Sequence, residues 1–147
     1  MIVVATEEEY KLAKKTFKGA HIVKTGVGGI NVYKTLNKYD RWQKIVNFGY
    51  CGSNNIPIGT EIRVGRSELY HPNVNYKEPK YKLDGNITCY TSSDFVVNTD
   101  IKKPCVFDME LAFILAMGFK NVKSIKIVSD NLDLKQYEEG IKNDRKG

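Results

Sequence analysis

The stretch Val106-Phe107-Asp108-Met109-Glu110-Leu111-Ala112 changes from a strand pattern to a helix pattern around an acidic pair. The short apolar run at 104–107 predicts a buried strand, and the run at 111–117 is apolar almost all round, which predicts a buried helix. Buried carboxylates are costly unless they are paired, hydrogen-bonded or bound to a ligand. Asp108 and Glu110 are therefore either exposed where the strand turns into the helix or have a function. The simplest interpretation is that Asp108 caps the helix.

Strand and helix patterns alternate at both ends of the chain, and the middle has an antiparallel character. The patterns predict strands at 2–5, 21–24, 44–48, 61–64 continuing through 67–71, 87–91, 104–107 and 124–128. They predict helices at 7–17, 30–39, 111–117 and 135–142, an irregular loop at 72–82 and a frayed tail at 143–147. This order predicts one α/β domain over residues 1–147. Its architecture is three-layer α/β/α, with a central mixed, largely parallel sheet covered by helices on both faces.

Composition narrows the class of protein. Of 147 residues, 41% are hydrophobic and 27% are charged, which is ordinary for a soluble globular protein. The formal net charge of +6 suits a polyanion partner, but it can equally serve solubility. Lysines are scattered along the sequence without a compact arginine–aromatic cluster, so we expect a solvated surface and no nucleic-acid partner.

The cysteines and the apolar runs indicate a cytoplasmic protein. Cys51, Cys89 and Cys105 form no C-x-x-C motif, which argues against a disulfide framework and against a zinc site. The N-terminus lacks a signal pattern, and no apolar stretch approaches membrane-spanning length. We therefore expect a reducing compartment and no membrane partner.

Candidate binding residues follow the predicted strands, where ligands gather in such sheets. The glycine stretch at 26–31 has Asn31 where a dinucleotide fingerprint needs its third glycine, so a nicotinamide site is not expected. The two histidines, His21 and His71, are far apart, and no clustered metal ligands occur. What remains is a set of carboxylates at strand ends, which suits glycosyl transfer. These carboxylates belong to Glu9, Asp94, Glu110 and Asp130.

Four motifs, one of them formed by two glycine segments, carry a family resemblance. Ala5-Thr6-Glu7-Glu8-Glu9 resembles an A-x-E-E-E motif, and the glycine segments at 25–31 and 47–52 resemble T/S-G-x-G and N-x-G-x-A-G turns. Phe107-Asp108-Met109-Glu110 resembles V-E-M-E, and the segment at 128–133 resembles I-S-D-x-x-D. This ordered set is similar to the nucleoside phosphorylase and nucleosidase superfamily. It is closest to the branch that hydrolyses methylthioadenosine and S-adenosylhomocysteine, here in a shortened form.

The resemblance implies roles for the residues of these motifs. Asp130 would protonate the purine at N7, and Ser129 would orient Asp130. Glu110 would accept hydrogen bonds from the ribose hydroxyls, and Met109 would pack under the sugar. Glu9 would position and deprotonate the attacking water.

Further residues are implied by the same resemblance. The base would contact the segment Ser93, Asp94, Phe95 and Val96, in which Val96 falls where the family has its stacking phenylalanine. The glycine turns near the sugar or an anion would contribute Gly26, Gly28, Gly49 and Tyr50. The loop from His71 to Tyr76 would close the site of a partner subunit, because family members usually pair, so a homodimer or higher homo-oligomer is expected.

The choice between hydrolysis and phosphorolysis depends on charge. Phosphorylases of the superfamily have an arginine and a serine around the second glycine turn, where this chain has Asn47 and Tyr50. Glu7-Glu8-Glu9 stands where phosphorylases have a phosphate-binding loop. Because negative charge would repel phosphate, this favours water as the nucleophile. No cofactor is implied, apart from phosphate as co-substrate if Arg63 or Arg66 supplies a cation for phosphorolysis. A nucleoside-binding relative without activity and a basic nucleic-acid-binding domain are the alternatives.

Overall fold

A computed structural model of the chain describes residues 1–70, 79–133, 135–136 and 138–139. Two short strands open the fold and flank its first helix. The elements in the described residues are β1 (Ile2–Val4), α1 (Glu7–Thr16), β2 (Ile22–Lys24), α2 (Gly29–Leu36), β3 (Ile45–Ser53), β4 (Glu61–Leu69), β5 (Lys80–Lys82), β6 (Ile87–Thr91), β7 (Cys105–Asp108), α3 (Leu111–Ala116) and β8 (Val122–Asp130).

Strand β1 lies between β2 and β3 and is parallel to both. Its side chains alternate between two apolar layers, as expected of a strand buried on both faces. Ile2 and Val4 pack with Ala13 of α1 on one face. Val3 packs on the other face, with Val32 and Leu36 of α2 and Ile114 of α3. This arrangement confirms the predicted three-layer α/β/α architecture.

Strands β3, β4, β6, β7 and β8 form a closed ring, and β5 pairs with β4 outside it. In the described residues β3 pairs with β7, β7 with β6, β6 with β4, and β4 with β8, which returns to β3. Three pairs of this ring are parallel and two, β3 with β7 and β4 with β8, are antiparallel, so the sheet is mixed, as predicted. Each of the five strands contributes an apolar side chain to one cluster inside the ring: Cys51, Ile62, Val64, Cys89, Val106 and Val128. The three cysteines of the chain are buried and free.

Several boundaries differ from the sequence prediction because long-range pairing extends the strands. The predicted turn at 49–53 belongs to β3, which pairs with β8 from Ile45↔Val122 to Gly52↔Asp130. The predicted loop at 72–82 contains β5, which pairs with β4, and residues 71–78 lie outside the described part. Half of the predicted helix at 135–142 and the whole tail at 143–147 also lie outside it. None of the helices within the described ranges is long and apolar enough to cross a membrane.

Candidate active site

Glu9 is fixed at the N-terminus of α1 by backbone hydrogen bonds. Thr6 and Glu9 form the predicted capping box: Thr6 Oγ1 accepts from the Glu9 N–H at 3.2 Å, and Glu9 Oε1 accepts from the Thr6 N–H at 3.2 Å. The same Oε1 atom accepts from the Ala5 N–H at 2.8 Å, and Oε2 accepts from the Tyr50 N–H at 2.8 Å. The Glu9 carboxylate is therefore oriented from three sides, although it is only 6% exposed.

Two glycines of β3 make room for carboxylates. A Cβ atom on Gly49 would overlap Glu9 Oε2, and one on Gly52 would lie 2.8 Å from Asp130 Oδ2. Real Cβ atoms do not approach other atoms so closely, so both positions require glycine for space. The sequence suggested a turn here, whereas the glycines serve the close approach of two acids to an extended strand.

Asp130 ends β8 and is buried beside Gly52. Its Oδ1 atom accepts from Ser129 Oγ at 2.8 Å, and its Oδ2 atom accepts from the Leu132 N–H at 3.0 Å. Ser129 Oγ also lies 3.3 Å from the Cys51 carbonyl, so the hydroxyl lies between Asp130 and the backbone of β3. Burial raises the pKa of Asp130, with its hydrogen bonds opposing the shift.

Asp108 is the centre of a buried polar network. Its Oδ2 atom accepts from the Leu111 N–H at 2.8 Å, so Asp108 caps α3 as predicted. Lys126 Nζ lies 3.0 Å from the same oxygen, and Thr91 Oγ1 donates to Oδ1 at 2.5 Å. Burial acts to raise the pKa of Asp108, but Lys126 and the hydrogen bonds outweigh it, so this pKa is lowered. Burial acts to lower the pKa of Lys126, but Asp108 and the other acids outweigh it, so that pKa is raised.

Lys126 was not identified from the sequence as part of the site. A signal existed, because a lysine within the apolar run Ile125-Lys126-Ile127-Val128 of a predicted buried strand needs a partner. The partner could not be named without the fold, since Asp108 and Lys126 come from strands of the ring that are not paired with each other.

Glu110, in the stretch at 106–112, accepts a hydrogen bond from the first glycine turn. Its Oε2 atom accepts from the Gly28 N–H at 2.9 Å, at the N-terminus of α2. Gly28 has φ +89°, a conformation that favours glycine. Burial, followed by the nearby charge of Asp108, raises the pKa of Glu110 to about 8. Glu110 therefore holds a proton over much of the neutral range.

These acids meet at one cavity of about 160 Å³. It lies where β1, β3, β7 and β8 end or approach each other, as expected for an α/β sheet. Four carboxyl residues line it, and no lysine or arginine is among its described lining residues. The lining comprises Ala5, Thr6, Glu9, Val27, Tyr50, Cys51, Gly52, Phe95, Phe107, Asp108, Met109, Glu110 and Asp130.

The predicted base-contacting segment is divided between three places. Phe95 lines the main cavity, and Asp94 and Val96 line a small neighbouring cavity of about 30 Å³ that shares Asp130 and Met109. Ser93 lines neither of these and lies on a wider groove of about 730 Å³ along α2.

The remaining described residues that the sequence predicted for the site do not line the main cavity. Gly26 packs against Asn31 at φ +89°, and Ser129 contacts Asp130 without lining the cavity. Neither Arg63 nor Arg66 lines the cavity, and Arg66 pairs with Glu68 at 3.2 Å. The predicted His71 loop lies outside the described residues. Across the part of the chain that is described, no group of three or more metal-binding side chains occurs.

The cavity presents the carboxyl groups of Glu9, from α1, and Asp130, from β8, and burial raises the pKa of both. Asp130, whose pKa is raised by burial, can hold a proton and donate it to a leaving group. Glu9 faces the same cavity with its orientation fixed, and it has room on Oε2 to accept one more hydrogen bond. Such a pair fits proton donation on one side of a scissile bond and activation of a nucleophile on the other.

Comparison with known proteins agrees on the fold. No protein-family model matches the chain, and no curated protein sequence does. Among solved structures, an S-adenosylhomocysteine nucleosidase from Streptococcus pyogenes in complex with 5-methylthiotubericidin superposes with a TM-score of 0.77 at 19% identity, covering 95% of this chain and 88% of that chain.

Two further nucleosidases (MTAN) have the same fold. A variant from Chlamydia trachomatis bound to MTA gives a TM-score of 0.78 at 12% identity, covering 99% of this chain and 90% of that one. A Helicobacter pylori variant with 5′-methylthioadenosine in its active site gives 0.78 at 13% identity, covering 97% and 91%. The chain therefore has the nucleoside phosphorylase-like fold of these nucleosidases, which confirms the fold implied by its motifs.

Proposed function

We propose that this protein hydrolyses the N-glycosidic bond of a purine nucleoside, of the methylthioadenosine or S-adenosylhomocysteine type. The observation that carries the proposal is the convergence of Glu9, Glu110 and Asp130 on one cavity. These residues come from α1, from the start of α3 and from the end of β8, and each matches an expected motif position. The solved structures with this fold include nucleosidases bound to nucleosides or their analogues.

In this proposal Asp130 donates a proton to N7 of the purine, so that the base departs as a neutral group. The raised pKa of Asp130 supports this role, because a general acid must be protonated when substrate binds. Ser129 keeps the carboxyl group oriented through its 2.8 Å hydrogen bond. Phe95, in the lining near Asp130, provides an aromatic surface for the base.

Glu110 and Glu9 act on the sugar side. Glu110 accepts hydrogen bonds from the ribose hydroxyls, and Met109 packs beneath the ring. Glu9 binds the attacking water and removes its proton as the sugar develops oxocarbenium character. Its three backbone hydrogen bonds leave the carboxylate little freedom, which is what positioning a water requires.

Water is the proposed nucleophile because the cavity is acidic. Phosphate binding sites provide cations and hydrogen-bond donors. Here the described lining includes Glu9, Asp108, Glu110 and Asp130, and neither lysine nor arginine. The described lining offers a phosphate ion no lysine or arginine side chain to bind it, so phosphorolysis is disfavoured.

We also propose that the protein works as a homodimer in the cytoplasm. The groove along α2 joins the cavity mouth at Val27, which lines both, and exposes apolar side chains of Ile30 and Tyr33. A partner subunit seated there would cover the apolar surface and narrow the mouth of the cavity. Three free, buried thiols suit a reducing compartment.

A nucleoside panel tests the proposed reaction. Methylthioadenosine, S-adenosylhomocysteine, adenosine and inosine would be incubated with the protein, with and without inorganic phosphate, and the products separated as free sugar or sugar 1-phosphate. Release of base and free sugar at a rate independent of phosphate supports hydrolysis. Sugar 1-phosphate formed only with phosphate contradicts it, and binding without base release identifies a non-catalytic relative.

A further inference from the structure

Lysines that are far apart in the sequence gather at one edge of the sheet. Strands β1, β2, β3 and β8 are parallel, so they begin at the same edge, opposite the cavity. Helices α1 and α2 follow β1 and β2 and lead back to that edge, where they end. The exposed lysines in or near these helix ends and strand starts are Lys14, Lys15, Lys18, Lys34, Lys38, Lys44 and Lys120.

Acidic residues are few on this side of the described structure. Asp40 is exposed there, and Asp84 pairs with Lys123 at 3.5 Å near the start of β8. The cavity at the opposite edge carries four carboxyl residues. Among the described residues, exposed lysines are therefore concentrated at the edge opposite the cavity, which the scattered sequence positions did not indicate.

The only tryptophan of the chain lies within this basic edge. Trp42 is 75% exposed. The Met1 ammonium donates to the Lys44 carbonyl at 3.2 Å, and the Lys120 N–H donates to the Arg41 carbonyl at 2.9 Å, so the segments of Met1 and Lys120 contact the segment that carries Trp42. We name this surface the Trp42 edge, comprising Met1, Lys38, Arg41, Trp42, Lys44 and Lys120.

Helix dipoles explain only part of the charge. Lys14, Lys15 and Lys34 lie in the last turns of α1 and α2, where cations stabilise a helix. The other cations of this edge, Lys38, Lys44 and Lys120, lie outside the helices. Trp42 also lies outside them, and most of its indole is exposed to solvent. The backbone N–H of Trp42 donates to Asp40 Oδ1 at 2.7 Å, and the indole is left exposed.

We propose that the Trp42 edge binds single-stranded nucleic acid without sequence preference, with the indole stacked on an unpaired base and the lysines on phosphates. Stacking on an aromatic side chain and contacts from surrounding cations are the two elements of such binding. A duplex does not offer the faces of its internal bases. Membrane-surface binding scales with buried apolar area, and a single indole offers little of it. This inference is independent of the proposed nucleosidase reaction.

The fluorescence of the single tryptophan reports binding directly. Titration of the intact protein with oligothymidylate should quench Trp42 saturably. With roughly three or four phosphates contacted, the slope of log K against log salt should be about −2 to −3. Quenching by phosphatidylserine vesicles but not by oligothymidylate would overturn the proposal in favour of a membrane surface. No response to either probe would also overturn it.

Variants distinguish the contribution of base stacking from that of charge. Their affinity for a fluorescently labelled oligothymidylate is measured by fluorescence anisotropy. Trp42→Leu should weaken binding by about 5-fold to 150-fold while the salt slope is unchanged. Lys44→Gln with Lys120→Gln should bring the salt slope nearer to zero by about 1.4. The matched control is Lys80→Gln with Lys82→Gln, which removes two exposed charges from β5 and should leave both values unchanged. Equal weakening by the control pair would show that only net charge matters and would overturn the proposal.

Discussion

Nζ of Lys126 lies 3.0 Å from Oδ2 of Asp108, and the two side chains are 2% and 1% exposed. This ion pair connects β8, which carries Asp130, with β7, which leads into Glu110. Thr91 Oγ1 completes the network by donating to Asp108 and accepting from the Ala112 N–H at 2.9 Å. The acidic site is thus built around one buried cation whose principal role is structural.

Removing that cation should destabilise the fold strongly. Lys126→Met leaves the buried Asp108 carboxylate without its ion-pair partner, and we expect a loss of about 3–5 kcal/mol in the free energy of unfolding. The control is Lys123→Met, which breaks an exposed pair with Asp84 and should cost at most about 1 kcal/mol. Urea denaturation measures both variants. A cost for Lys126→Met no larger than the control would contradict the structural role.

A methyl group at Gly49 should impair catalysis by displacing Glu9. The added Cβ overlaps Glu9 Oε2, so the carboxylate must move away from the Tyr50 N–H. A misplacement of about 1 Å in a catalytic group costs roughly 100-fold in rate. The readout is base release from methylthioadenosine at saturating substrate.

Gly118→Ala is the control for that experiment. Gly118 has φ +93° and nothing near its missing Cβ, so alanine there strains the backbone after α3, away from the cavity. We expect reduced stability and an unchanged rate. If Gly49→Ala retains the wild-type rate, Glu9 is not the residue that positions the nucleophile.

The pH dependence of stability should report on Glu110. Its pKa is raised from 4.5 to about 8 in the folded protein, so the unfolded chain loses the proton first as pH rises. The stabilisation is present in full below pH 4.5 and is lost as the pH rises through about 8. Glu110→Gln should make the decline less steep by up to about 1.4 kcal/mol per pH unit.

Denaturation at several pH values between about 5 and 8 measures this slope. Glu9 and Asp130 also have raised pKa values, so part of the decline should remain in the variant. Glu61→Gln, at the exposed start of β4, is the control and should leave the slope unchanged. An unchanged slope in Glu110→Gln would mean that Glu110 is already ionised in the folded protein at these pH values.

Local sequence patterns predicted the features that depend on neighbouring residues. The Thr6–Glu9 capping box, the cap from Asp108 to α3 and the strand at 87–91 are each contained within a few residues, and the structure has all three. The order of strands and helices indicated the three-layer architecture for the same reason. Asp130, Glu110 and Glu9 were found because they follow predicted strands.

Features that depend on distant pairing were not predictable from one sequence. Gly49 and Gly52 suggest a turn by composition, but pairing with β8 keeps them extended. Lys126 needs Asp108, which the closed ring brings within hydrogen-bonding distance. The basic edge arises only when parallel strands place their first residues side by side. In each case the deciding contact is between residues far apart along the chain.

The most direct test of the account is base release by Asp130→Asn compared with Asp133→Asn. Both variants neutralise an acid in the same segment, but Asp133 is exposed and its Oδ1 accepts from the Lys135 N–H, whereas Asp130 lines the cavity. With methylthioadenosine, or whichever nucleoside the panel shows to be cleaved, Asp130→Asn should release base at least about 100-fold more slowly, because it cannot donate the proton to N7. Asp133→Asn should lose much less of the rate, because Asp133 does not line the cavity and its side chain acts on Asp130 only through its charge, which helps to raise the Asp130 pKa. Both variants should keep the wild-type circular dichroism spectrum. A folded Asp130→Asn protein that releases base at the wild-type rate would contradict the proposed mechanism.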